Sequence, residues 1–221
     1  MKPLGFSYEK KIVSEGYSLV VGCDEVGRGA LAGPIVAAAV AFDCPKLKTE
    51  LTRTDQNWIE QIRDSKLLTP AKREELAFHI KHHALAWSIA SVSSQIIDKI
   101  NIHHANLLAL YRSVEGVHKK LKHFRKGKTY TLIDGRFIVP QLHSAQQAVV
   151  GGDAKVFSIA AASILAKVYR DQLMMKHDVK FPGYSFSNHK GYGTVAHRNA
   201  MKELGLTSIH RKTFCTRIID I

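Results

Sequence analysis

Short apolar runs alternate with helical patterns along this chain, and that alternation limits its possible folds more than any other feature. Strands are predicted for the runs with apolar or β-branched content, which cover 18–21, 34–42, 85–92, 129–133 and 145–150. The first strands come as a group, and the later ones alternate with helices. This order predicts one α/β domain with a central mixed sheet flanked by helices.

Helices are expected between and after these strands. Thr69 and Pro70 form a typical helix start, with a threonine cap and proline in the first helical position, and this helix should run to about His83. An alanine- and leucine-rich stretch predicts the strongest helix, from Val156 to about His177. Further helices are expected over 94–100, 105–122 and 195–204, whereas 43–69 should be irregular and 187–194 should form a loop.

The charge of the chain favours an anionic partner. The 221 residues include 32 Lys and Arg against 19 Asp and Glu, which gives a formal net charge of +13. Nucleic acid is the leading candidate for such a partner, and a generic basic surface is the alternative.

The cysteines and the apolar runs indicate a cytosolic protein. Cys23, Cys44 and Cys215 are odd in number and show no CxxC spacing, which fits reduced thiols and argues against a disulfide framework or a zinc site. The N-terminus does not resemble a signal peptide, and no run approaches the roughly 18 apolar residues that a membrane helix requires. We therefore expect no membrane partner.

One segment combines two residue types that suit phosphate chemistry. Asp24 and Glu25 follow the apolar run 18–21 and lead into a turn with glycine at 27 and 29. Carboxylates bind hard divalent cations such as Mg²⁺, and glycines let backbone amides approach a polyanion closely. A solvated turn is the alternative for such a pair of acids.

Two further acids occur where a shared site could form. Asp134 ends the strand predicted at 129–133, and Asp153 lies just before the alanine-rich helix, whose dipole favours a negative charge there. Asp171 is a competitor on the same helix, but at about 1.5 Å per residue it lies more than about 20 Å from the helix start. The two cannot both line one site. The glycines beside Asp153 favour it, and Asp171 should pair with a neighbouring arginine or lysine.

Strand geometry sets a condition for this site. Neighbouring side chains on a regular strand point to opposite faces, so Asp24 and Glu25 share a site if the strand bends or ends between them, or if Glu25 contributes its carbonyl. Four converging carboxylates would repel each other unless cations neutralised them, and two divalent ions about 3.5–4 Å apart would do so. Oxygen ligands favour Mg²⁺ or Mn²⁺ over Zn²⁺.

Six segments in order resemble one known family. They are GCDEVGRGALAGP at 22–34, RDSK at 63–66, LIDG at 132–135, AAASILAKVYRD at 160–171, HKGYGT at 189–194 with His197, and IHRKTF at 209–214. Together they resemble the signature of type 2 ribonuclease H, the ribonuclease HII of bacteria. The resemblance implies a ribonuclease H-like fold with a small helical C-terminal part. It also implies hydrolysis of the RNA strand of RNA–DNA hybrids, and nicking of duplex DNA 5′ of a single ribonucleotide, with 3′-hydroxyl and 5′-phosphate ends.

The resemblance also assigns roles to residues. The family's four catalytic, metal-binding acids fall on Asp24, Glu25, Asp134 and Asp153, which would bind Mn²⁺ or Mg²⁺, with two ions during catalysis. Its substrate-binding positions fall on Gly27, Arg28, Gly29, Ser65, Lys66 and Tyr192. The glycine-arginine-glycine turn would read the 2′-hydroxyl, the tyrosine would stack on the neighbouring deoxyribose, and the serine and lysine would anchor a phosphate.

The chain as a whole, 1–221, is expected to be one catalytic domain that acts as a monomer. Its core should span about 18–180, and about 181–221 should form a C-terminal segment that contacts the substrate. Because few residues precede Asp24, we expect no additional N-terminal domain such as that of ribonuclease HIII.

Two groups of basic or titratable residues have no assigned role. His103 and His104 are expected at a solvated helix start. The basic run 119–128 is expected to be a solvated loop, and a nonspecific contact to a nucleic acid duplex is the alternative.

Two other functional classes compete with the nuclease. The spacing of Gly27, Gly29 and Gly33 is close to a dinucleotide-binding fingerprint, but Pro34 begins a strand where that fingerprint requires a helix. A basic nucleic-acid-binding module without catalysis would bind duplexes regardless of Mg²⁺ and regardless of Asp134.

Overall fold

The computed structural model describes residues 4–43, 53–121, 128–216 and 218, and for 53–56 it describes the backbone alone. The strands are β1 (Leu19–Val26), β2 (Ile35–Ala41), β3 (Ala86–Val92), β4 (Thr129–Asp134) and β5 (Ala145–Val149). They form one five-stranded mixed sheet in the order β3-β2-β1-β4-β5. The expected α/β fold class is therefore confirmed.

Helices cover both faces of this sheet. They are α1 (Ser7–Ser14), α2 (Arg53–Gln61), α3 (Pro70–His83), α4 (Ser94–Leu121), α5 (Phe157–Lys180), α6 (Phe186–His189), α7 (Val195–Leu204) and α8 (Lys212–Cys215). Short 3₁₀ turns lie at Ser65–Leu67 and Gly152–Ala154. In the part of the chain that the structure describes, no helix is both long and apolar enough to span a bilayer.

Strand β2 shows how two helices approach the sheet from opposite sides. All of its residues are buried, and most are alanine. Because side chains alternate along a strand, Val36 and Ala38 pack into the core cluster that contains α5, whereas Ile35 and Ala37 pack into the cluster that contains α4. The small side chains allow both helices to pack closely on the sheet.

The start of α5 is fixed against β1. A methyl group at Gly22 would overlap the backbone of Ser158, so glycine is required where the first turn of α5 meets the strand. The backbone N–H of Ser158 donates to Oε1 of Glu9 in α1 at 2.8 Å. Glu9 is fully buried and supplies the cap that Val156, the residue preceding α5, lacks.

The sheet topology brings distant acids together. Strands β1 and β4 are parallel neighbours, and Cys23 lies opposite Ile133. The next residues in each strand, Asp24 and Asp134, therefore lie side by side where the ladder ends. Parallel neighbours also place the turn after β1 and the turn after β4 at one edge of the sheet.

Several boundaries differ from those that the sequence predicts. Strand β1 continues to Val26, because its pairing with β2 extends as far as Val36. The segment expected to be irregular contains α2 and a 3₁₀ turn, and the loop expected at 187–194 begins with α6. Helix α1 has no counterpart among the predicted elements. The helices α3 and α7 match their predicted bounds to within a residue.

The long helix α4 contains the break that the sequence predicts. Asn101 has a left-handed φ of 62°, and its side-chain oxygen accepts hydrogen bonds from the backbone N–H groups of His103 at 2.9 Å and His104 at 3.2 Å. The two histidines thus lie in the first turn after the break, which agrees with the expected helix start. Cys44 and residues 122–127 of the basic run lie outside the described residues.

Candidate active site

Three elements bring the four candidate acids to one edge of the sheet. Strand β1 carries Asp24 and Glu25, β4 ends at Asp134, and the 3₁₀ turn before α5 carries Asp153. The backbone N–H of Gly152 donates to Oδ1 of Asp134 at 2.6 Å, which links β4 to that turn. Acids that are distant in sequence therefore lie in one region of the molecule.

The electrostatics of these acids show that they repel each other. Burial raises the pKa of Asp24 well above its ordinary value, and the charges of Glu25 and Asp134 raise it further. Burial and then the charge of Asp134 raise the pKa of Glu25 to about 7, although Arg28 and Lys66 act in the opposite direction. Burial is also the main cause of the raised pKa of Asp134. Clusters of acids with raised pKa values are typical of functional sites.

The pairing of β1 excludes two of the three ways in which the adjacent acids were expected to share a site, namely a bend and a strand end between them. Asp24 lies opposite Ala38 and Glu25 opposite Ala37, so the ladder passes through both residues in regular register. Both carboxylates nevertheless interact with the charge of Asp134.

The donor set fits a hard divalent cation. Oε2 of Glu25 is buried and has no hydrogen-bond partner within the described residues, which leaves a buried anionic oxygen available to a ligand. Within those residues, no three His, Cys, Asp or Glu side chains form a ready-made metal cluster. Lys66 instead places its Nζ 3.2 Å from Oδ2 of Asp153, so a cation of the chain partly neutralises the site. All four candidate ligands offer oxygen, which suits Mg²⁺ or Mn²⁺.

The competitor Asp171 is engaged elsewhere, as the sequence predicts. Its carboxylate lies 2.8 Å from Nζ of Lys167, one turn earlier in α5, and 3.7 Å from a guanidinium nitrogen of Arg73 in α3. Asp171 therefore pairs with a lysine and an arginine.

The proposed phosphate anchor is divided between the surface and the interior. Lys66 has a 75% exposed side chain. Ser65 is buried, and its Oγ lies 3.0 Å from Oγ of Ser163 in α5, which in turn hydrogen-bonds the Asp24 carboxylate. The backbone around Ser65 is held by Arg73, which donates to the carbonyl oxygens of Ser65 and Leu68 at 2.9 and 2.6 Å.

The glycine-arginine-glycine turn follows β1 directly. Gly27 has a φ of +92° and faces the side chain of Arg170, which a methyl group at Gly27 would overlap. Gly29 and Arg28 are exposed, and a methyl group at Gly29 would have no heavy atom within 4 Å. Gly27 is thus required by the fold itself. Gly29 instead leaves open space on the outer side of the turn.

Tyr192 lies close to the same turn, in a loop held by buried histidines. The N–H of Thr207 donates to Nδ1 of His210 at 2.9 Å, so the other nitrogen of His210 carries the proton. His210 therefore donates to Nε2 of His197 at 3.1 Å, and Nδ1 of His197 donates to the carbonyl oxygen of Tyr192 at 3.0 Å. This relay fixes the backbone of the tyrosine.

The sequence assigns no role to four residues that shape this region. Arg170 and Arg211 are fully buried. Arg211 donates to the backbone of the turn and Arg170 to that of the segment after it, while His197 and His210 support the tyrosine loop. A sequence signal for all four does exist, because each of them belongs to the segments that resemble the family. Their burial becomes visible in the folded chain alone.

Comparisons with known proteins agree with this geometry. Residues 21–217 match the family model described as Ribonuclease HII. The chain is 41% identical over 216 residues to the ribonuclease HII of Caldicellulosiruptor bescii. This match covers 98% of this chain and 96% of that protein.

Solved structures share the fold. The ribonuclease H2 of Pyrococcus horikoshii superimposes with a TM-score of 0.68 at 24% identity, covering 91% of this chain and 97% of that one. Bst ribonuclease HIII, crystallised in complex with Mn²⁺, gives a TM-score of 0.62 at 17% identity, covering 90% of this chain and 65% of that one.

Proposed function

Because this chain belongs to the ribonuclease HII family, whose members hydrolyse the RNA strand of RNA–DNA hybrids and depend on divalent metal ions, we propose that it also nicks duplex DNA 5′ of a single embedded ribonucleotide. The observation that carries this proposal is the continuity of β1. The strand that presents Asp24 and Glu25 leads within two residues to a turn with an open outer side. A group that reads the sugar and groups that bind metal are thereby fixed on one piece of backbone.

The metal site in this proposal consists of the four acids. Asp24, Glu25, Asp134 and Asp153 would hold Mn²⁺ or Mg²⁺, two ions during catalysis, and the buried free oxygen of Glu25 supports this assignment. The ions would supply an activated water for attack on phosphorus and would stabilise the leaving 3′-oxygen. Lys66, beside Asp153, would then be free to contact a phosphate of the substrate.

Recognition of the ribose belongs to the turn and to Tyr192 in this proposal. Backbone groups of Gly27, Arg28 and Gly29 would bind the 2′-hydroxyl, which is the group that distinguishes RNA from DNA at a given nucleotide. The Tyr192 ring, half-buried beside the turn, would stack on the next deoxyribose. A water-driven cleavage does not need the 2′-hydroxyl chemically, so the selectivity has to come from such contacts.

The remaining parts of the proposal concern the wider chain. Ser65 supports the position of Asp24 through Ser163, and Lys66 of the same loop is the candidate phosphate anchor. The net charge of +13 suits a duplex substrate. One catalytic domain, a core over about 18–180 and a substrate-contacting segment over about 181–221, a monomeric state and a cytosolic location all stay predictions.

The proposal is tested with duplex DNA that carries one ribonucleotide. Wild type, Asp134→Asn and the control Glu203→Gln, an exposed glutamate on α7, are incubated with the duplex and Mn²⁺ or Mg²⁺, and products are separated on denaturing gels. We expect nicking by wild type and control, loss of nicking in Asp134→Asn, and loss in all samples with EDTA. Full activity of Asp134→Asn, or no nicking by wild type with any divalent ion, would exclude the proposed nicking activity.

A further inference from the structure

Two fully buried arginines lie beneath the glycine-arginine-glycine turn. Arg170 of α5 and Arg211, just before α8, are the largest side chains with no solvent exposure. In the described part of the chain, the hydrogen bonds of both guanidinium groups go to backbone carbonyl oxygens and not to carboxylates. Removing two positive charges from water is costly, so this arrangement calls for a reason beyond ordinary packing.

Arg211 fixes the turn itself. It donates to the carbonyl oxygens of Gly27 at 2.7 Å, Arg28 at 2.8 Å and Gly33 at 3.0 and 3.1 Å. Three carbonyl groups of the segment are thus drawn towards the protein interior. A planar fork with five donors can satisfy several carbonyls at once, whereas a lysine ammonium cannot reproduce that geometry.

The direction of these carbonyls determines the direction of the neighbouring amides. In a planar trans peptide, the C=O of one residue and the N–H of the next point in opposite directions. Because the carbonyls of Gly27 and Arg28 point inward to Arg211, the N–H groups of Arg28 and Gly29 point outward. Within the described residues, neither N–H has an acceptor. Two free donors therefore face the space beside Gly29.

Arg170 joins the segment that follows this turn to the tyrosine loop, and its side chain also packs against Gly27 in the turn. On one side it donates to the carbonyl oxygens of Pro34 at 3.0 Å and Ala32 at 3.2 Å, and on the other to that of Lys190 at 2.9 Å. Its guanidinium carbon also lies 5.3 Å from the centre of the Tyr192 ring, within the range of a cation–π contact. One side chain thus contacts both elements that would contact the sugar, because it packs against Gly27 and lies beside the ring of Tyr192.

From these contacts we propose that Arg170 and Arg211 are positioning residues for ribose selection. Arg211 directs the N–H groups of Arg28 and Gly29 towards the 2′-hydroxyl, and Arg170 holds the ring of Tyr192 at a fixed position relative to them. This inference rests on the proposed function. It adds that selectivity is set from the interior of the protein, by residues that do not touch the substrate.

The test separates selectivity from stability. Arg170→Lys, Arg211→Lys, Tyr192→Ala and the double variant Arg170→Lys/Tyr192→Ala are assayed on two substrates: a duplex with one ribonucleotide, and a hybrid with a continuous RNA strand. Arg112→Lys, an exposed arginine on α4, controls for the substitution. Val114→Ala, in the core on that helix, controls for lost stability. Thermal unfolding of each variant confirms that the assays use folded protein.

We expect Arg170→Lys to lower the ratio of kcat/KM for the single ribonucleotide over the hybrid by about tenfold or more, because the fork that joins turn and ring is lost. The double variant should show no further loss beyond Tyr192→Ala, since the arginine acts through the ring. Val114→Ala should leave the ratio unchanged. An unchanged ratio in Arg170→Lys, with an active wild type, would overturn the inference, whereas an inactive wild type would overturn the proposed function instead.

A measurement on the wild-type protein covers the case in which the variants do not fold. Amide hydrogen exchange is followed by NMR without metal, before and after addition of the single-ribonucleotide duplex. The N–H groups of Arg28 and Gly29 should exchange rapidly in the free protein and be protected in the complex. Protection of both amides in the free protein would contradict their outward direction.

Discussion

The same substitution at two glycines of one turn should have opposite effects on stability. Gly27→Ala and Gly29→Ala each add one methyl group within the segment that follows β1. Gly27 is buried, with a φ of +92°, and its methyl group would overlap the side chain of Arg170. Gly29 is exposed, its φ lies outside the left-handed region, and its methyl group would meet no heavy atom within 4 Å.

The magnitudes follow from these environments. At Gly27, the left-handed backbone costs about 1–2 kcal/mol for alanine and displacement of the arginine about 1–3 kcal/mol more, a total of about 2–5 kcal/mol. At Gly29, alanine reduces the freedom of the unfolded chain and should stabilise the protein by about 0.4–1 kcal/mol. For a chain of this size, each kcal/mol corresponds to about 2–4 °C in Tm.

Activity should fall in both variants, although stability changes in opposite directions. The methyl group of Gly29→Ala occupies the side of the turn at which we place the ribose, and a tenfold loss in kcat/KM corresponds to about 1.4 kcal/mol of lost binding in the transition state. Urea denaturation gives the stabilities, and nicking of a single-ribonucleotide duplex gives the activities. A Gly29→Ala protein with wild-type activity would refute the placement of the ribose, and an equal loss of stability in both variants would refute the local geometry.

Three further predictions follow from other parts of the molecule. Burial lowers the pKa of His197 and His210 to about 4 in the folded protein, against an ordinary value of about 6.5. Between these two pKa values the unfolded chain binds more protons than the folded protein, so the free energy of unfolding should fall as the pH drops from about 6.5 to 4. At pH 5 the loss should be about 2 kcal/mol per imidazole. Urea denaturation measures it, and the fall should be less steep in His210→Gln. Gly22→Ala should lower the free energy of unfolding by about 1–3 kcal/mol or more, because the methyl group meets backbone of α5, whereas Gly5→Ala should be nearly neutral. Lys66→Met should remove about one phosphate contact and so make the slope of log K for hybrid binding against log salt shallower, as measured by fluorescence anisotropy. The exposed control Lys202→Met should leave this slope unchanged.

The fold follows closely from local sequence patterns where these patterns are strong. Helix α3 begins where the threonine cap and the proline indicate, and the cap bond from the N–H of Lys72 to the Thr69 hydroxyl is present. The end of β1 is different, because glycine, aspartate and glutamate have low strand propensity. Pairing with the alanine-rich β2 overrides that propensity and extends the strand to Val26.

The candidate site divides in a similar way. Acids at strand ends can be located from sequence, because the position of a strand end in an α/β sheet is general. The burial of Arg170 and Arg211 cannot be predicted from sequence, since a charged residue in a helix or in a basic tail is ordinarily exposed. The role of Glu9 in α1 is likewise not predictable from sequence, because it depends on a contact with Ser158, which is 149 residues away.

The most direct test of the central claim is the position and chemistry of the nick. Two duplexes with one labelled strand, identical except for one ribonucleotide or deoxyribonucleotide, are incubated with the wild-type protein and Mn²⁺ or Mg²⁺. We expect a nick 5′ of the ribonucleotide, with 3′-hydroxyl and 5′-phosphate ends, and no nick in the all-DNA duplex. A nick 3′ of the ribonucleotide with a 2′,3′-cyclic phosphate would show that the 2′-hydroxyl is the nucleophile. That result, or equal nicking of both duplexes, would contradict the central claim. The claim is that the turn reads the ribose and that the neighbouring carboxylates bind the metal.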